Sequence, residues 1–207
     1  MDSLKERKKR AERIVAVLRK LFPSAKIVLK YRNNWELLVS VILSAQCTDK
    51  KVNEVTEKLF KKYKSFADYV KADPKEFEQD IRSTGFYRNK ARNILAIARI
   101  LPQRFGGKVP RTMKELVTLP GVARKTANVV LGNAYGVIEG IAVDTHVIRL
   151  SRKFGLTQHK DPVKIEQDLM KLIPQKDWFF FTYGMIEYGR KICPARRHDC
   201  RNHPLSF

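Results

Sequence analysis

The chain has 207 residues, and 42 lysines and arginines against 21 aspartates and glutamates give it a formal net charge of +21 at pH 7. This excess indicates a polyanionic partner, either nucleic acid or an anionic membrane surface. No apolar run approaches the ~20 residues of a membrane span, and the charged N-terminus lacks the apolar core of a signal peptide. We therefore expect nucleic acid rather than a membrane, and an intracellular protein, in the cytoplasm or nucleoid or in a eukaryotic nucleus.

The first half of the chain is predicted to consist of helices. Residues 14–22 place their apolar side chains on one helical face and lysines and arginines on the other. Asn34 and Asp49 are plausible N-caps of the next two helices. Asp73-Pro74-Lys75-Glu76 has the cap, the N1 proline and the N3 acid of a helix start, and we expect Gly85 to end that helix.

The second half is also predicted to be helical. Three helices are predicted over residues 89–100, 113–119 and 178–192. The first is expected to end before Pro102, Thr112 is expected to cap the second, and Asp161-Pro162 opens a further helix between the last two. No run shows convincing alternation with period two, and residues 140–143 are too short to seed a sheet. The predicted fold class is all-α.

Pro120-Gly121 predicts a tight turn between two helices, because Gly121 can adopt a positive φ without penalty. The helix that begins near Arg124 would present its N–H groups and positive dipole end to a phosphate. The alternative is an ordinary turn between two core helices, since Pro-Gly turns are common.

Lys125 lies at the start of this largely apolar helix, where partial desolvation and the neighbouring Arg124 favour the neutral, nucleophilic amine. The alternative is a solvated lysine in a basic protein. Asp144 follows a short apolar run and is explained equally well as an N-cap or as a carboxylate held to stabilise a developing sugar cation. For His146 a structural or phosphate-facing role is favoured over that of a base.

The stretch Leu119-Pro-Gly-Val-Ala-Arg-Lys-Thr-Ala-Asn-Val-Val130, with Val143-Asp-Thr-His146 downstream, resembles the endonuclease III family of helix-hairpin-helix DNA glycosylases with lyase activity. The resemblance extends from about Glu12 to Cys200. Three further segments match in family order, namely residues 43–49, 85–91 and 188–193.

The resemblance implies that Lys125 attacks the anomeric carbon and forms a Schiff base, that Asp144 assists base departure, and that β-elimination cuts the strand 3′ to the lesion. It implies that Gln46 fills the gap left by a flipped nucleotide and that Phe86 matches a second wedge position. The alternatives are a polar residue at a helix end for Gln46 and a core aromatic for Phe86. The residues expected to contact DNA are Gln46, Phe86, Gly121, Val122, Ala123, Arg124 and His146.

The family architecture implies two helical domains with a DNA-binding cleft between them. Residues 26–138 would form a six-helix domain with the helix-hairpin-helix at about 113–131, and residues 1–25 would join 139–207. The implied partner is duplex DNA with damaged bases or abasic sites, bound by a monomer.

Two positions depart from the family pattern. Ala123 replaces the second glycine of the hairpin, which is harmless if its φ is negative. At the tail, Cys193 and Cys200 keep the first spacing of the four cysteines that usually hold a [4Fe–4S] cluster, but His203 takes the third position and no fourth precedes Phe207. We expect no cluster and a metal-free loop, with zinc on Cys193, His198, Cys200 and His203 as the alternative.

The sequence therefore predicts a bifunctional DNA glycosylase and abasic-site lyase of base excision repair that acts on oxidised pyrimidines. The alternatives are a mismatch-specific DNA glycosylase and a non-catalytic protein that binds duplex or damaged DNA. Family members that act on mismatches tend to lack a lysine at the position of Lys125, which counts against the first alternative. The presence of both Lys125 and Asp144 counts against the second.

Overall fold

The computed structural model describes residues 2–206, and every regular element in this range is helical, which confirms the all-α prediction. A short 3₁₀ helix spans Arg82–Thr84. The α-helices are α1 (Leu4–Leu21), α2 (Asn34–Leu43), α3 (Asp49–Lys62), α4 (Phe66–Lys71), α5 (Pro74–Asp80), α6 (Tyr87–Phe105), α7 (Met113–Leu116), α8 (Arg124–Tyr135), α9 (Thr145–Lys153), α10 (Pro162–Leu172) and α11 (Gln175–Lys191). None of these helices has the length and apolar character that a membrane crossing requires.

The chain divides into two compact units. The continuous unit runs from Val28 to Val137 and contains α2–α8. Its central element is α2, in which every residue from Trp35 to Leu43 is buried. Helix α2 packs against α3, α6 and α8. A helix that is mainly apolar on all sides fits such a central position.

The second unit combines the chain up to Ile27 with the chain from Ile138 onward. Within it, α1 packs on α10 and α11, and α9 also packs on α11. The apolar face predicted for the first helix points into this core, where Ile14 and Leu18 are fully buried. The core includes Tyr188 near the end of α11 and Cys193 just beyond it.

Most helix starts are defined by side-chain caps, and two of them differ by one residue from the prediction. Asn33, rather than Asn34, accepts from the Glu36 N–H. Thr48, rather than Asp49, accepts from the Lys51 N–H. In each case the capping residue is extended and the next residue is already helical, as the geometry of a side-chain cap requires.

The end of α6 was predicted wrongly. The helix does not stop before Pro102 but continues to Phe105, with Pro102 exposed inside it. Gly106 ends the helix in the left-handed conformation, and its N–H donates to the Leu101 carbonyl. The proline loses one helical hydrogen bond, but the buried face that includes Leu101 holds the last turn in place.

Helix α11 begins at Gln175, three residues before the predicted start, and α6 begins at Tyr87, two residues before it. The remaining differences concern short elements. Helix α7 is shorter than predicted and ends at Leu116. Helix α5 ends at Asp80, so the 3₁₀ helix lies between it and Gly85. Helix α4, capped by Ser65, was not predicted. A six-residue helix is too short to show a convincing hydrophobic period.

Candidate active site

The turn between α7 and α8 has the geometry predicted for Pro120-Gly121. Gly121 has φ +73°, and a Cβ at this position would lie 2.3 Å from Nδ2 of Asn93 on α6. Val122 is buried, and its N–H donates to the Leu119 carbonyl at 3.1 Å. The positive φ and the close approach of the Asn93 side chain therefore both favour glycine at 121.

Ala123 occupies the N-cap position of α8. Its φ is −86°, so the alanine that replaces the family's second glycine is accommodated without backbone strain. Alanine has no side-chain oxygen that can accept from the first-turn N–H groups. A phosphate can act as the acceptor instead, because a helix start combines N–H donors with the positive end of the helix dipole.

Lys125 is the second residue of α8 and is half-buried. The residues that follow it, from Ala127 to Leu131, are buried. The helix therefore anchors its inner face in the core of the continuous unit, while Lys125 lies within the first turn, two residues after the N-cap Ala123.

Asp144 is the N-cap of α9, and its Oδ1 accepts from the Val147 N–H at 2.8 Å. The preceding residues, Ile141 to Val143, are buried. The cap bond therefore fixes the carboxylate, and the buried segment that precedes Asp144 fixes its backbone. Capping and a catalytic role are compatible, because the cap bond shown uses one of the two carboxylate oxygens.

Gln46 and Phe86 have the two positive φ values found among the non-glycine residues of the described chain, +51° and +48°. Both side chains are exposed, and Phe86 is 63% exposed. This excludes the core-aromatic alternative for Phe86. A left-handed conformation costs a non-glycine residue ~1–2 kcal/mol, and such strain is concentrated at functional sites.

Lys90 joins the segments that carry these two residues and was not predicted from the sequence. It is only 5% exposed, and its Nζ donates to the carbonyl of Leu43 and to that of Thr84, both at 2.8 Å. Burial lowers the pKa of this amine. Leu43 lies three residues before Gln46 and Thr84 two residues before Phe86, so one buried ammonium ties both segments together. The sequence did indicate that Lys90 is buried, because its helical spacing places it with Ile94 and Leu101 on the apolar face of α6.

His146 is half-buried on α9 and lies against α11. A Cβ on Gly189 would be 2.4 Å from its Nδ1, so the absence of a side chain at 189 makes room for the imidazole. Of the two roles that the sequence favoured for His146, structural or phosphate-facing, this contact supports the structural one. Its contact with DNA stays a prediction.

Four possible metal ligands converge in the segment that follows α11. The ligand atoms of Cys193, His198, Cys200 and His203 all lie within 4.8 Å of one another. Cys193 is buried and the other three are half-buried. This convergence conflicts with the expectation of a metal-free loop, which had been based on the unusual spacing of these residues along the chain.

Comparison with known proteins agrees with the motifs. The model of the HhH-GPD superfamily of base excision DNA repair proteins matches residues 39–175. An endonuclease III of Synechocystis sp. is 51% identical over 200 residues, which cover 97% of this chain and 91% of that protein.

Two solved structures match nearly the whole chain. One is a non-covalent endonuclease III–DNA complex and the other a trapped endonuclease III–DNA covalent intermediate. In each, the matched protein is 46% identical with a TM-score of 0.92, and the match covers 99% of this chain and 94% of the other. The chain belongs to the HhH-GPD superfamily of base excision DNA repair proteins and, within it, to the endonuclease III family.

Proposed function

We propose that this chain is a bifunctional DNA glycosylase and abasic-site lyase that removes oxidised pyrimidines from duplex DNA. The observation that carries the proposal is Lys125, half-buried at the start of α8 behind the Gly121 turn. A nearly full-length relative forms a covalent intermediate with DNA, and such an intermediate requires a nucleophile of the kind that Lys125 offers.

The proposed reaction begins with the neutral amine of Lys125 attacking C1′ of the damaged nucleotide. The glycosidic bond breaks and its electron pair leaves with the base, while the carboxylate of Asp144 stabilises the positive charge that develops on the sugar. Nζ then gives up a proton, its lone pair forms the C1′–N double bond, and the C1′–O4′ bond breaks as O4′ takes up a proton, which gives a protonated Schiff base between Nζ and C1′. Loss of a C2′ proton expels the 3′ phosphate by β-elimination, and water hydrolyses the Schiff base to release the lysine.

The exposed residues Gln46 and Phe86 are proposed to hold the duplex open during this reaction. Flipping a nucleotide out of the stack costs a few kcal/mol. A glutamine can satisfy the hydrogen bonds of the orphaned base, and an exposed phenyl ring can stack on its neighbours. The strained backbone at both positions supports this role.

The turn at Gly121 and the start of α8 are proposed to hold the DNA backbone. Val122, Ala123 and Arg124 would approach a phosphate there, and backbone contacts of this kind position the duplex without reading its sequence. The proposed partner is duplex DNA with damaged bases or abasic sites, bound by a monomer. Genomic DNA as substrate would place the reaction inside the cell.

The [4Fe–4S] cluster that the resemblance implies does not fit the residues at the tail. Such a cluster requires four thiolates, whereas the converging side chains are two cysteines and two histidines. No step of the proposed reaction is routed through a cluster. The chemistry is assigned to Lys125 and Asp144 alone.

Borohydride trapping on a duplex with one abasic site tests the nucleophile. Borohydride reduces the Schiff base to a stable covalent adduct, so the wild-type protein should shift the labelled strand on a denaturing gel. Lys125→Gln removes the amine and is expected to abolish the adduct. Lys58→Gln, on the exposed face of α3, removes the same charge elsewhere and should trap DNA as the wild type does. An undiminished adduct with Lys125→Gln would contradict the proposal.

A cleavage assay without borohydride, on duplexes that contain an oxidised pyrimidine or a mispair, distinguishes the alternatives. A non-catalytic duplex-binding protein would retard the duplex on a native gel but leave both strands uncut on a denaturing gel. A mismatch glycosylase would release thymine or adenine from mispairs and leave an oxidised pyrimidine in place. Cleavage 3′ to an oxidised pyrimidine by the wild-type protein is the outcome that the proposal requires.

A further inference from the structure

The segment after α11 has the donors of a metal site. Cys193 and Cys200 offer sulfur, and His198 and His203 offer imidazole nitrogen, with all four ligand atoms within 4.8 Å of one another. The rings of His198 and His203 stack with their centroids 5.0 Å apart. Four side chains of the types that bind zinc thus meet within ten residues of one another along the chain.

The orientation of His198 is typical of a metal ligand. Its Nδ1 lies 2.7 Å from the Arg196 carbonyl oxygen. With the proton on Nδ1 donated to that carbonyl, the lone pair of the ring lies on Nε2, which is 3.3 Å from Sγ of Cys200. Metal-bound histidines are usually held in this way, with the second ring nitrogen donating to a carbonyl or carboxylate.

Basic side chains of α9 surround the two sulfurs. Nζ of Lys153 lies 3.1 Å from Sγ of Cys193 and 2.8 Å from Sγ of Cys200. Arg149 donates to the Cys193 carbonyl at 2.6 Å and approaches its sulfur at 3.6 Å. Both sulfurs of the group therefore have a basic hydrogen-bond donor beside them.

The distances select a single ion rather than a cluster. Zinc–sulfur bonds of about 2.3 Å and zinc–nitrogen bonds of about 2.0 Å place the ligands of a tetrahedron roughly 3.3–3.8 Å apart, so the observed group needs only a small contraction. A Cys₂His₂ [2Fe–2S] centre binds its cysteines to one iron and its histidines to the other. That arrangement separates the two types of ligand, whereas Cys200 and His198 are adjacent here.

We propose that Cys193, His198, Cys200 and His203 bind one zinc ion, which cross-links the segment after α11 within itself and anchors it at Cys193, which is buried in the core of the second unit. Two thiolates neutralise the ion's charge. Lys153 would remain outside the tetrahedron as a donor to the sulfurs. The site is independent of the proposed reaction, because its donors include neither Lys125 nor Asp144.

Metal analysis of the purified full chain tests this proposal. After growth with both zinc and iron and purification without chelators, we expect about one zinc ion per chain and no stoichiometric iron. Cys200→Ser and His203→Gln each remove one half-buried ligand and should reduce the zinc content at least tenfold. The matched controls Cys47→Ser and His159→Gln change the same residue types away from the group and should keep the full zinc content.

A second measurement uses cobalt and does not depend on the variants folding. Cobalt added to the metal-depleted wild-type protein should give the intense visible bands of a tetrahedral ion and the near-ultraviolet band of sulfur-to-cobalt charge transfer. One equivalent of zinc should abolish both. Lys153→Met should retain the zinc, since the lysine is not a ligand.

Three results would each overturn the proposal. The first is a wild-type chain that holds less than a tenth of an equivalent of zinc and gives no cobalt spectrum. The second is stoichiometric iron and sulfide with broad visible absorption, which would indicate a cluster. The third is a disulfide between Cys193 and Cys200 that persists when zinc is supplied under reducing conditions.

Discussion

Gly121 is a glycine for two separable physical reasons, its positive φ and its contact with Asn93. Gly121→Ala is expected to destabilise the fold by ~1 kcal/mol from backbone strain, with an added cost because Asn93 has to move. The same movement should displace the start of α8 and weaken duplex binding. Urea unfolding and a binding titration measure the two effects.

Gly136→Ala is the matched control for that substitution. Gly136 ends α8 with φ +65°, and nothing lies within 4 Å of its Cβ position. The Gly136→Ala variant should therefore lose only the stability that backbone strain costs, and its duplex binding should be unchanged. If the two variants proved equal in both measurements, the contact between Gly121 and Asn93 would have no role in shaping the turn.

Lys90 provides a test of how the two exposed wedge residues are positioned. Lys90→Met removes the bonds to the Leu43 and Thr84 carbonyls, so the segments before Gln46 and Phe86 lose their common anchor. We expect at least a tenfold lower rate of base release from duplex DNA. Trapping on a single-stranded abasic site should persist, because no base has to be flipped there.

The control for Lys90→Met is Arg92→Met, which removes a positive charge from the exposed face of the same helix. It should leave the rates on both substrates near those of the wild type. An equal loss on single-stranded and duplex substrates with Lys90→Met would indicate a general loss of folding rather than misplaced wedge residues.

The residues of the site differ in how far the sequence could predict them. The position of Lys125 at a helix start and of Asp144 at a cap follows from local signals, and both lie there in the structure. The role of Lys90, in contrast, could not be predicted from local sequence patterns. Its function depends on two carbonyls contributed by other segments, and a lysine on an apolar face does not reveal which acceptors it meets.

At the scale of elements, the helix starts for which a side-chain cap was predicted lie within one residue of the prediction, because capping is a contact between neighbours in the chain. The starts of α6 and α11, which have no side-chain cap, were predicted two and three residues too late. Helix ends were predicted less accurately than helix starts. Pro102 was expected to end α6, but tertiary packing of the face that carries Leu101 prevailed over the local preference of proline. Helix α4 is too short to carry a period that a sequence reading can detect.

The cap of α9 allows stability and catalysis to be separated. Asp144→Asn keeps a side-chain oxygen for the Val147 N–H, and asparagine caps helices about as well as aspartate. We expect stability to stay within about 1 kcal/mol, while base release falls at least a hundredfold because the negative charge is lost. Asp144→Ala should lose the same activity and, in addition, ~1 kcal/mol of stability.

Asp161→Asn is the control for this comparison, because Asp161 caps α10 through the same kind of bond, to the Lys164 N–H. Its activity should be unchanged. Trapping on a preformed abasic site should survive Asp144→Asn better than base release does, since no base has to leave. Full base release by Asp144→Asn would show that Asp144 acts as a cap alone.

At the scale of the whole molecule, the pairing of α1 with α11 was not visible in the sequence pattern. A hydrophobic period shows that a helix has a buried face but does not show what covers it. The division of the chain into a continuous unit and a unit built from both ends depends on such long-range contacts. The expectation of two domains therefore came from the family resemblance and not from periodicity.

The net charge of +21 predicts how binding depends on salt. Each phosphate neutralised by a lysine or arginine releases a counterion, so the logarithm of affinity should fall linearly with the logarithm of salt concentration. For about six such contacts, affinity for a duplex should drop roughly a thousandfold between 50 and 200 mM salt.

Arg124→Gln, at the start of α8, removes one proposed phosphate contact and should reduce the slope of this salt dependence by about one. Gln46→Ala should weaken binding to a duplex with an abasic-site analogue and leave the slope unchanged, because glutamine carries no charge. Titrations of both variants at several salt concentrations would separate backbone attraction from gap filling, and an unchanged slope for Arg124→Gln would show that the start of α8 does not hold a phosphate.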